Sequence, residues 1–503
     1  MSASAVDGPG SGPSLDGVRP RRLFLASCIA LVATSVAFAV VGAIMLTLKR
    51  EFVLTNLQVG WIGGAALWGF AVSQLLFAPF CDTLGMRFLL RLAYVCHLVG
   101  ALVLIAANGF WMLFTGALTL ALGNGLVEAA ANPLVASLFP ENKTVKLNQF
   151  HVWFPGGIVI GSVLAFGLDR IGLPAWQLKV ALILVPTLIY GFLMLRESFP
   201  PTEGVRAGVS MREMFRATFT TPLMLLMLAC MAVTASTELG PNRWVPAVLE
   251  AGGIPGILVL AWINGLMAVM RYRAGFAVER LSPTGVLFGS AVISFVGLLW
   301  LSYAETITVA FASATVFAVG ICYFWPTMLG FVSERIPRSG ALGLGLMGAV
   351  GMATVGLVTT PWMGRIADRI GHERLPAAET VALLEDATEA LPAAAEAAPP
   401  ERREDILAAA TAARSVLEET RASGRLPELA TANALRALID SGTEAGLAER
   451  AAAILGPADN YGGRASFRYI LPFTAILILV FGMLYLRDRR AGGYRARRID
   501  AAA

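Results

Sequence analysis

Residues 110–138 read FWMLFTGALTLALGNGLVEAAANPLVASL, and one charged residue, Glu128, interrupts the run. A helix of that length rises roughly 40 Å at about 1.5 Å per residue, enough to cross the ~30 Å hydrocarbon layer of a bilayer. The stretch is therefore expected to span a membrane and to carry an acid inside it. Applied outward, the same criterion finds spans near 23–48, 57–80, 88–107, 148–168 and 175–195 around it. After a hydrophilic stretch, 196–221, it finds 222–249, 254–272, 284–303, 307–332, 341–364 and 468–486. Twelve spans in two groups of six predict an all-α membrane protein with two pseudo-symmetric halves.

The bulk composition agrees. The 503 residues are 56% hydrophobic and 15% charged, with a mean hydropathy of +0.69, whereas a soluble domain is roughly a quarter charged. Five cysteines, Cys28, Cys81, Cys96, Cys230 and Cys322, all fall in apolar stretches. They are odd in number and lack ligand spacing, which argues against a disulfide framework and a zinc site. No glycine-rich phosphate loop with its Lys is present, so no cofactor or metal is expected and no enzymatic activity. The net charge of +5 is a topological signal rather than a nucleic-acid footprint. Basic residues gather after the even-numbered spans, for example Arg87 and Arg91, Lys143 and Lys146, Arg271, Arg273 and Arg280. By the positive-inside rule both termini are expected in the cytoplasm of a cell with this chain in its plasma or inner membrane.

The expected organisation is a flexible cytoplasmic tail (1–22), an N-terminal half (23–195), a cytoplasmic linker (196–221), a C-terminal half (222–486) and a basic cytoplasmic tail (487–503). An Ala/Glu/Arg-rich segment, 375–459, separates spans eleven and twelve. It exceeds ordinary loop lengths, so an extracytoplasmic helical insertion is expected there. It is either a solvated insertion, a lid or a partner-docking element. The two halves also echo each other at a nearly constant offset. Leu168-Asp169-Arg170-Ile171-Gly172 matches Ala367-Asp368-Arg369-Ile370-Gly371, Pro133 and Glu141 match Pro326 and Glu334, and Asp82 matches Glu279. Internal repeats of this kind build many secondary transporters.

Polar groups at membrane depth are costly and become the functional candidates. Asn124, Glu128 and Asn132 share one helical face of the fourth span, and Pro133 frees a backbone carbonyl next to them. Glu128 reads either as a proton-carrying acid or as a neutral, structurally bonded one. Asn148, His151 and Pro155 share a face at the start of the fifth span, beside Trp153. Amides and rings suit sugar hydroxyls and faces, and His151 is either a proton relay or a packing residue. Thr234, Glu238 and Asn242 repeat the spacing in the seventh span, followed by Arg243 and Trp244, with Glu238 and Arg243 paired only if Pro241 distorts the helix. Tyr323 and Trp325 precede Pro326 in the tenth span, as stacking platforms or as packing. Asp82, Gly85, Arg87, Asp169, Arg170, Glu279, Arg280, Asp368 and Arg369 are candidate conformational residues at span ends. Glycines 157, 161, 343, 345, 348 and 351 permit close helix approach.

These features resemble the major facilitator superfamily, with Asp82-Thr83-Leu84-Gly85-Met86-Arg87 similar to its Asp-containing loop between spans two and three. Glu128-Ala-Ala-Ala-Asn132-Pro133-Leu134, Pro140-Glu141 and Leu147-Asn148-Gln149-Phe150-His151 look more narrowly like the fucose–galactose–gluconate proton symporters. The resemblance implies a proton-carrying or sugar-contacting role for Glu128 and a sugar-ligand role for Asn148. It also marks a departure. Members of that family carry an Asn-Asp pair in the first span, where this chain has Gly42-Ala43 before Ile44-Met45-Leu46. The expected function is a secondary transporter of a small polar metabolite, a sugar above all, coupled to protons and working by alternating access at a midplane site. The alternatives are an exporter of amphipathic compounds and, in another class, a membrane sensor or scaffold using 375–459. The expected partners are the substrate, protons and the lipid bilayer, with no nucleic acid.

Overall fold

Local chemistry sets where the helices begin. Thr55 caps the second span, its hydroxyl accepting from the Gln58 amide at 3.2 Å while the Gln58 side chain takes the Thr55 amide at 2.9 Å. Ser210 and Glu213 form the same box ahead of the linker helix Met211–Thr220. The computed structural model describes residues 17–441, 445–497 and 499. Parts of three expectations lie outside them: residues 1–16 of the N-terminal tail, 442–444 of the insertion, and Arg498 with 500–503 of the basic tail.

Eleven helices among the described residues are long and apolar enough to cross a bilayer: Pro20–Glu51, Leu57–Leu84, Met86–Ile105, Phe110–Leu138, Lys143–Arg170, Trp176–Met194, Pro222–Glu250, Ala274–Leu301, Ile307–Arg335, Pro337–His372 and Gly446–Arg490. The shorter apolar helix Gly256–Tyr272 makes twelve. Its shortness corrects one boundary. After a break at Arg273 (φ −89°, ψ 13°) the helix resumes at Ala274, and the chain turns its corner only at Ser282 (φ 62°, ψ 163°). The eighth span thus continues through residues 256–281, about 39 Å of helix. Arg271 and Arg273, read from sequence as loop charges, lie within it, and roughly 15 Å of helix separates Arg271 from the corner.

The same corner occurs in the first half. Gly85 (φ 81°, ψ 143°) joins spans two and three as Ser282 joins spans eight and nine. Glycine adopts such a φ freely, while Ser282 is held there by its fold. At the end of the fourth span Phe139 has φ −132°, ψ 63°, and at the end of the tenth Ile336 has φ −130°, ψ 52°. The duplication is also written into helix crossings. A Cβ on Gly100 would sit 2.8 Å from the Leu120 amide, and on Gly297 it would meet the Phe317 amide. Gly123 packs on His97, and Gly320 on Ser294. One offset relates Gly85 to Ser282, Phe139 to Ile336, Gly100 to Gly297 and Gly123 to Gly320. That register sets Pro140 against Pro337, so the sequence match of Pro133 with Pro326 is coincidental.

The chain forms two compact units, one holding residues up to Leu225 with Leu329–Ala349, the other Leu226–Met328 with Val350–Arg495. Leu329–Ala349 joins the first unit through specific bonds. Glu334 accepts from the Thr144 amide and hydroxyl at 3.0 and 2.7 Å, and Lys143 donates to the Ser333 carbonyl. A Cβ on Gly345 would collide with Ala78, and one on Gly348 with the Gln74 amide.

In the second unit, the insertion folds as four helices, Ala377–Ala397, Pro400–Ser423, Glu428–Asp440 and Ala445–Arg468. Its apolar face is spent on a core of its own, which includes Leu383, Leu384, Leu391, Ile406, Leu435, Leu438 and Leu455. The last helix crosses the end of the eleventh span at two glycines, Gly371 against Ala458 and Gly462 against the Ala367 carbonyl. Around that crossing Arg436 donates to Asp459 at 3.1 Å and reaches Asp368 at 3.5 Å, with His372 3.6 Å from Asp459. Any side chain on Gly462 has to displace backbone. Gly462→Val is expected to lower stability by about 1–3 kcal/mol, the usual cost of overpacking. A thermal melt unchanged from wild type would show that the crossing is loose.

Candidate functional site

The fourth span presents its polar face as expected, and other helices complete it. Asn124, Glu128 and Asn132 are 3%, 3% and 1% exposed. The Asn132 Nδ2 donates to Glu128 Oε2 at 3.4 Å, and its Oδ1 lies 3.0 Å from His151 Nε2. With the amide nitrogen already donating to the acid, Oδ1 accepts, so His151 carries a hydrogen on Nε2. The result is a buried line of histidine, amide and carboxylate within the first unit. Such a line can hold a proton at Glu128 and pass hydrogen-bond polarity to His151, and its amide can both donate to and accept from a hydroxylated ligand.

Asn124 belongs to a different network. Its Oδ1 lies 2.9 Å from His97 Nε2, and His97 Nδ1 lies 3.1 Å from the Tyr190 hydroxyl. His97 and Tyr190 are fully buried, in the third and sixth spans. Asn148 is buried too, and its Nδ2 donates to the Thr144 carbonyl one turn back at 2.9 Å. Trp153 is half-exposed, and its backbone carbonyl receives the Ser35 hydroxyl at 3.1 Å on the first span. Its ring is not part of the Glu128 line.

The second unit holds a buried charge pair. Arg271 Nη2 donates to Glu238 Oε1 at 2.8 Å, and both side chains are almost wholly buried. Arg271 Nε donates to the Cys322 carbonyl at 2.6 Å. Arg243, which could pair with Glu238 only through a distortion at Pro241, is exposed. Its place on the same helix carries it round the axis away from Glu238, whereas Arg271 comes from a neighbouring helix. Tyr323 donates its hydroxyl to the Met270 carbonyl at 3.0 Å, a structural bond. Trp325 is buried with its ring against Gly351. Glu238 Oε2, Asn242 Oδ1 and Trp325 Nε1 are buried without a hydrogen-bond partner among the described residues.

The residues expected at span ends have separate local partners. Asp82 accepts from the Thr202 hydroxyl at 2.6 Å, Gly85 makes the corner, and Arg87 is exposed. Asp169 pairs with Lys179 at 2.7 Å, while Arg170 stacks over Phe166. Glu279 is exposed and Arg280 lies 3.9 Å over the Phe276 ring. Asp368 faces Arg436, and Arg369 reaches Glu373 at 3.7 Å. Sequence reasoning missed His97, Arg271 and Gln74. Gln74 is fully buried in the second span with neither amide atom hydrogen-bonded among the described residues, and the repeat register sets it against Arg271. His97 was detectable as an ionisable group inside a span.

The fold has clear relatives. The chain is similar to a solved outward-facing structure of FucP, elsewhere described as the Escherichia coli fucose:proton symporter, at 19% identity and a TM-score of 0.58, covering 69% of this chain and 92% of that one. It is similar to the proton:xylose symporter XylE, also from E. coli, at 14% identity and a TM-score of 0.58, covering 70% and 89%. Hexose transporter HXT17 of Saccharomyces cerevisiae is 29% identical over 155 residues, which is 29% of this chain and 27% of that protein's length. The profile of the Major Facilitator Superfamily matches residues 23–354. With that match over most of its length and the duplicated twelve-span architecture, this chain belongs to the Major Facilitator Superfamily, a family of membrane transporters rather than enzymes.

Proposed function

We propose that this protein carries a sugar across the cell membrane by alternating access and couples the movement to protons. One observation carries the reading: the buried Glu128–Asn132–His151 line at membrane depth. A carboxyl group in that position is expensive to keep unless it is used. The amide beside it offers both a donor and an acceptor to sugar hydroxyls, and His151 stands ready to relay a proton. The named activities of the relatives, a hexose transporter and two proton-coupled sugar symporters, support the same substrate class. The loop charges favour cytoplasmic termini.

The test is uptake into proteoliposomes. Purified protein under an imposed inward proton gradient is expected to accumulate at least one labelled hexose or pentose above its external concentration, and a protonophore is expected to abolish the gain. Efflux of amphipathic cations without uptake of any sugar would replace this reading with that of an exporter.

A further inference from the structure

The last span ends in the run Arg487-Asp488-Arg489-Arg490, three cations and one acid. The helix Leu471–Arg490 sorts them onto different faces. Asp488 turns inward, 8% exposed, and its carboxylate accepts the Thr284 hydroxyl of the ninth span at 2.9 Å. Arg489 lies 5.9 Å over the Tyr485 ring, which itself stacks on Phe288. Arg487 and Arg490 are left exposed on a third face, and neither pairs with a carboxylate among the described residues. Together with Met483, Leu486 and Ala491 they line a groove of about 500 Å³. The chain leaves through Gly492 (φ 84°) and Gly493 (φ 108°), backbone that glycine adopts freely. That turn sends the Ala491, Gly492 and Gly493 amides back to the carbonyls of Arg487, Arg489 and Asp488, so the negative end of the helix is capped. It also brings Arg495 back, since a Cβ on Gly492 would lie 3.7 Å from the Arg495 Nη2.

We propose that this groove binds the headgroup of an anionic phospholipid, with an acyl chain laid along the twelfth span. Two guanidiniums one turn apart without a carboxylate partner suit a phosphodiester, which accepts their paired hydrogen bonds and carries the charge they lack. The apolar half of the ligand is written on the same face. Ahead of the arginines the helix exposes Ile476, Leu479, Met483 and Leu486, at 50%, 67%, 63% and 53%, spaced three or four residues apart. From Ile476 to Arg487 is about 16 Å of helix, close to the ~15 Å of hydrocarbon in one leaflet. An acyl chain therefore covers the stripe while its phosphate reaches the arginines. A free anion would use only the charged end of this surface, so the occupant is a lipid. The positive-inside bias asks for basic residues near this end, but it does not ask that the one acid among them be drawn away from the groove.

Lipid binding to the purified protein in a neutral detergent, followed by native mass spectrometry, tests this with phosphatidylglycerol against phosphatidylcholine of the same acyl chains. The first phosphatidylglycerol is expected to bind about tenfold more tightly, the order set by two arginines facing one phosphate. Arg487→Gln with Arg490→Gln is expected to remove that preference. Arg212→Gln with Arg216→Gln, which takes the same charge from exposed positions of the linker helix, is expected to keep it. Equal affinity of wild type for the two lipids overturns the site. An equal loss of preference in both double variants also overturns it, by reducing the effect to net charge. Displacement of phosphatidylglycerol by an equal concentration of glycerol 3-phosphate overturns the lipid in favour of a soluble anion. None of these outcomes bears on the transport reading. The wild-type comparison decides the matter even if a variant does not fold.

Discussion

Glu128→Gln is expected to end proton-driven accumulation of a neutral hexose in proteoliposomes while exchange of that hexose across equilibrated membranes continues. Carriage of one proton per sugar makes a one-unit pH gradient worth about 1.4 kcal/mol, so wild type approaches roughly tenfold accumulation and the variant stays near onefold. The amide keeps the shape of the acid and can still bond Asn132, whose nitrogen donates to Glu128 Oε2. What it removes is the capacity to gain and lose a proton. The loss of accumulation should therefore come without loss of binding, which separates a proton carrier from a residue that only holds the helix. A variant that accumulates hexose as wild type does would make Glu128 a neutral structural acid and move coupling elsewhere.

The twelve spans are legible in the sequence because their signal is local. A run of apolar residues has to be buried in lipid wherever its neighbours go, and its length fixes the crossing. Glu128 and Asn132 are legible for the same reason, since helical spacing alone puts them on one face. Arg271 is not. A hydropathy criterion ends a span at its first charge, and the cancelling charge, Glu238, lies 33 residues away on another helix. The corner at Ser282 is hidden as well, because serine does not advertise a positive φ as Gly85 does. Asn124 joins a network that its own helix does not announce, because the face it shares with Glu128 says nothing of His97, which approaches from the third span. The partners of polar groups in a membrane interior are chosen between helices, and single-helix periodicity sees only one side of each choice.

The pair hidden from the sequence predicts the largest change in stability. Arg271→Ala is expected to cost about 3–5 kcal/mol, because it leaves the Glu238 carboxylate buried without its cation, and that penalty exceeds the loss of a surface ion pair several-fold. It also removes the donor to the Cys322 carbonyl, which sits where the tenth span breaks between Ile321 and Phe324. The double change Glu238→Leu with Arg271→Met is expected to recover most of the loss, since two apolar chains of similar bulk need neither solvation nor each other. Chemical unfolding in detergent micelles measures both, and Glu238→Leu and Arg271→Met alone complete the cycle that isolates the interaction. A single-variant cost below about 1 kcal/mol would mean that water reaches the pair and screens it. The unbonded Glu238 Oε2 would then be served by solvent. A large cost for the single variant and a small one for the double would instead show that the intact charge pair adds little net stability over two apolar chains, and that the penalty lies in leaving one of its charges alone.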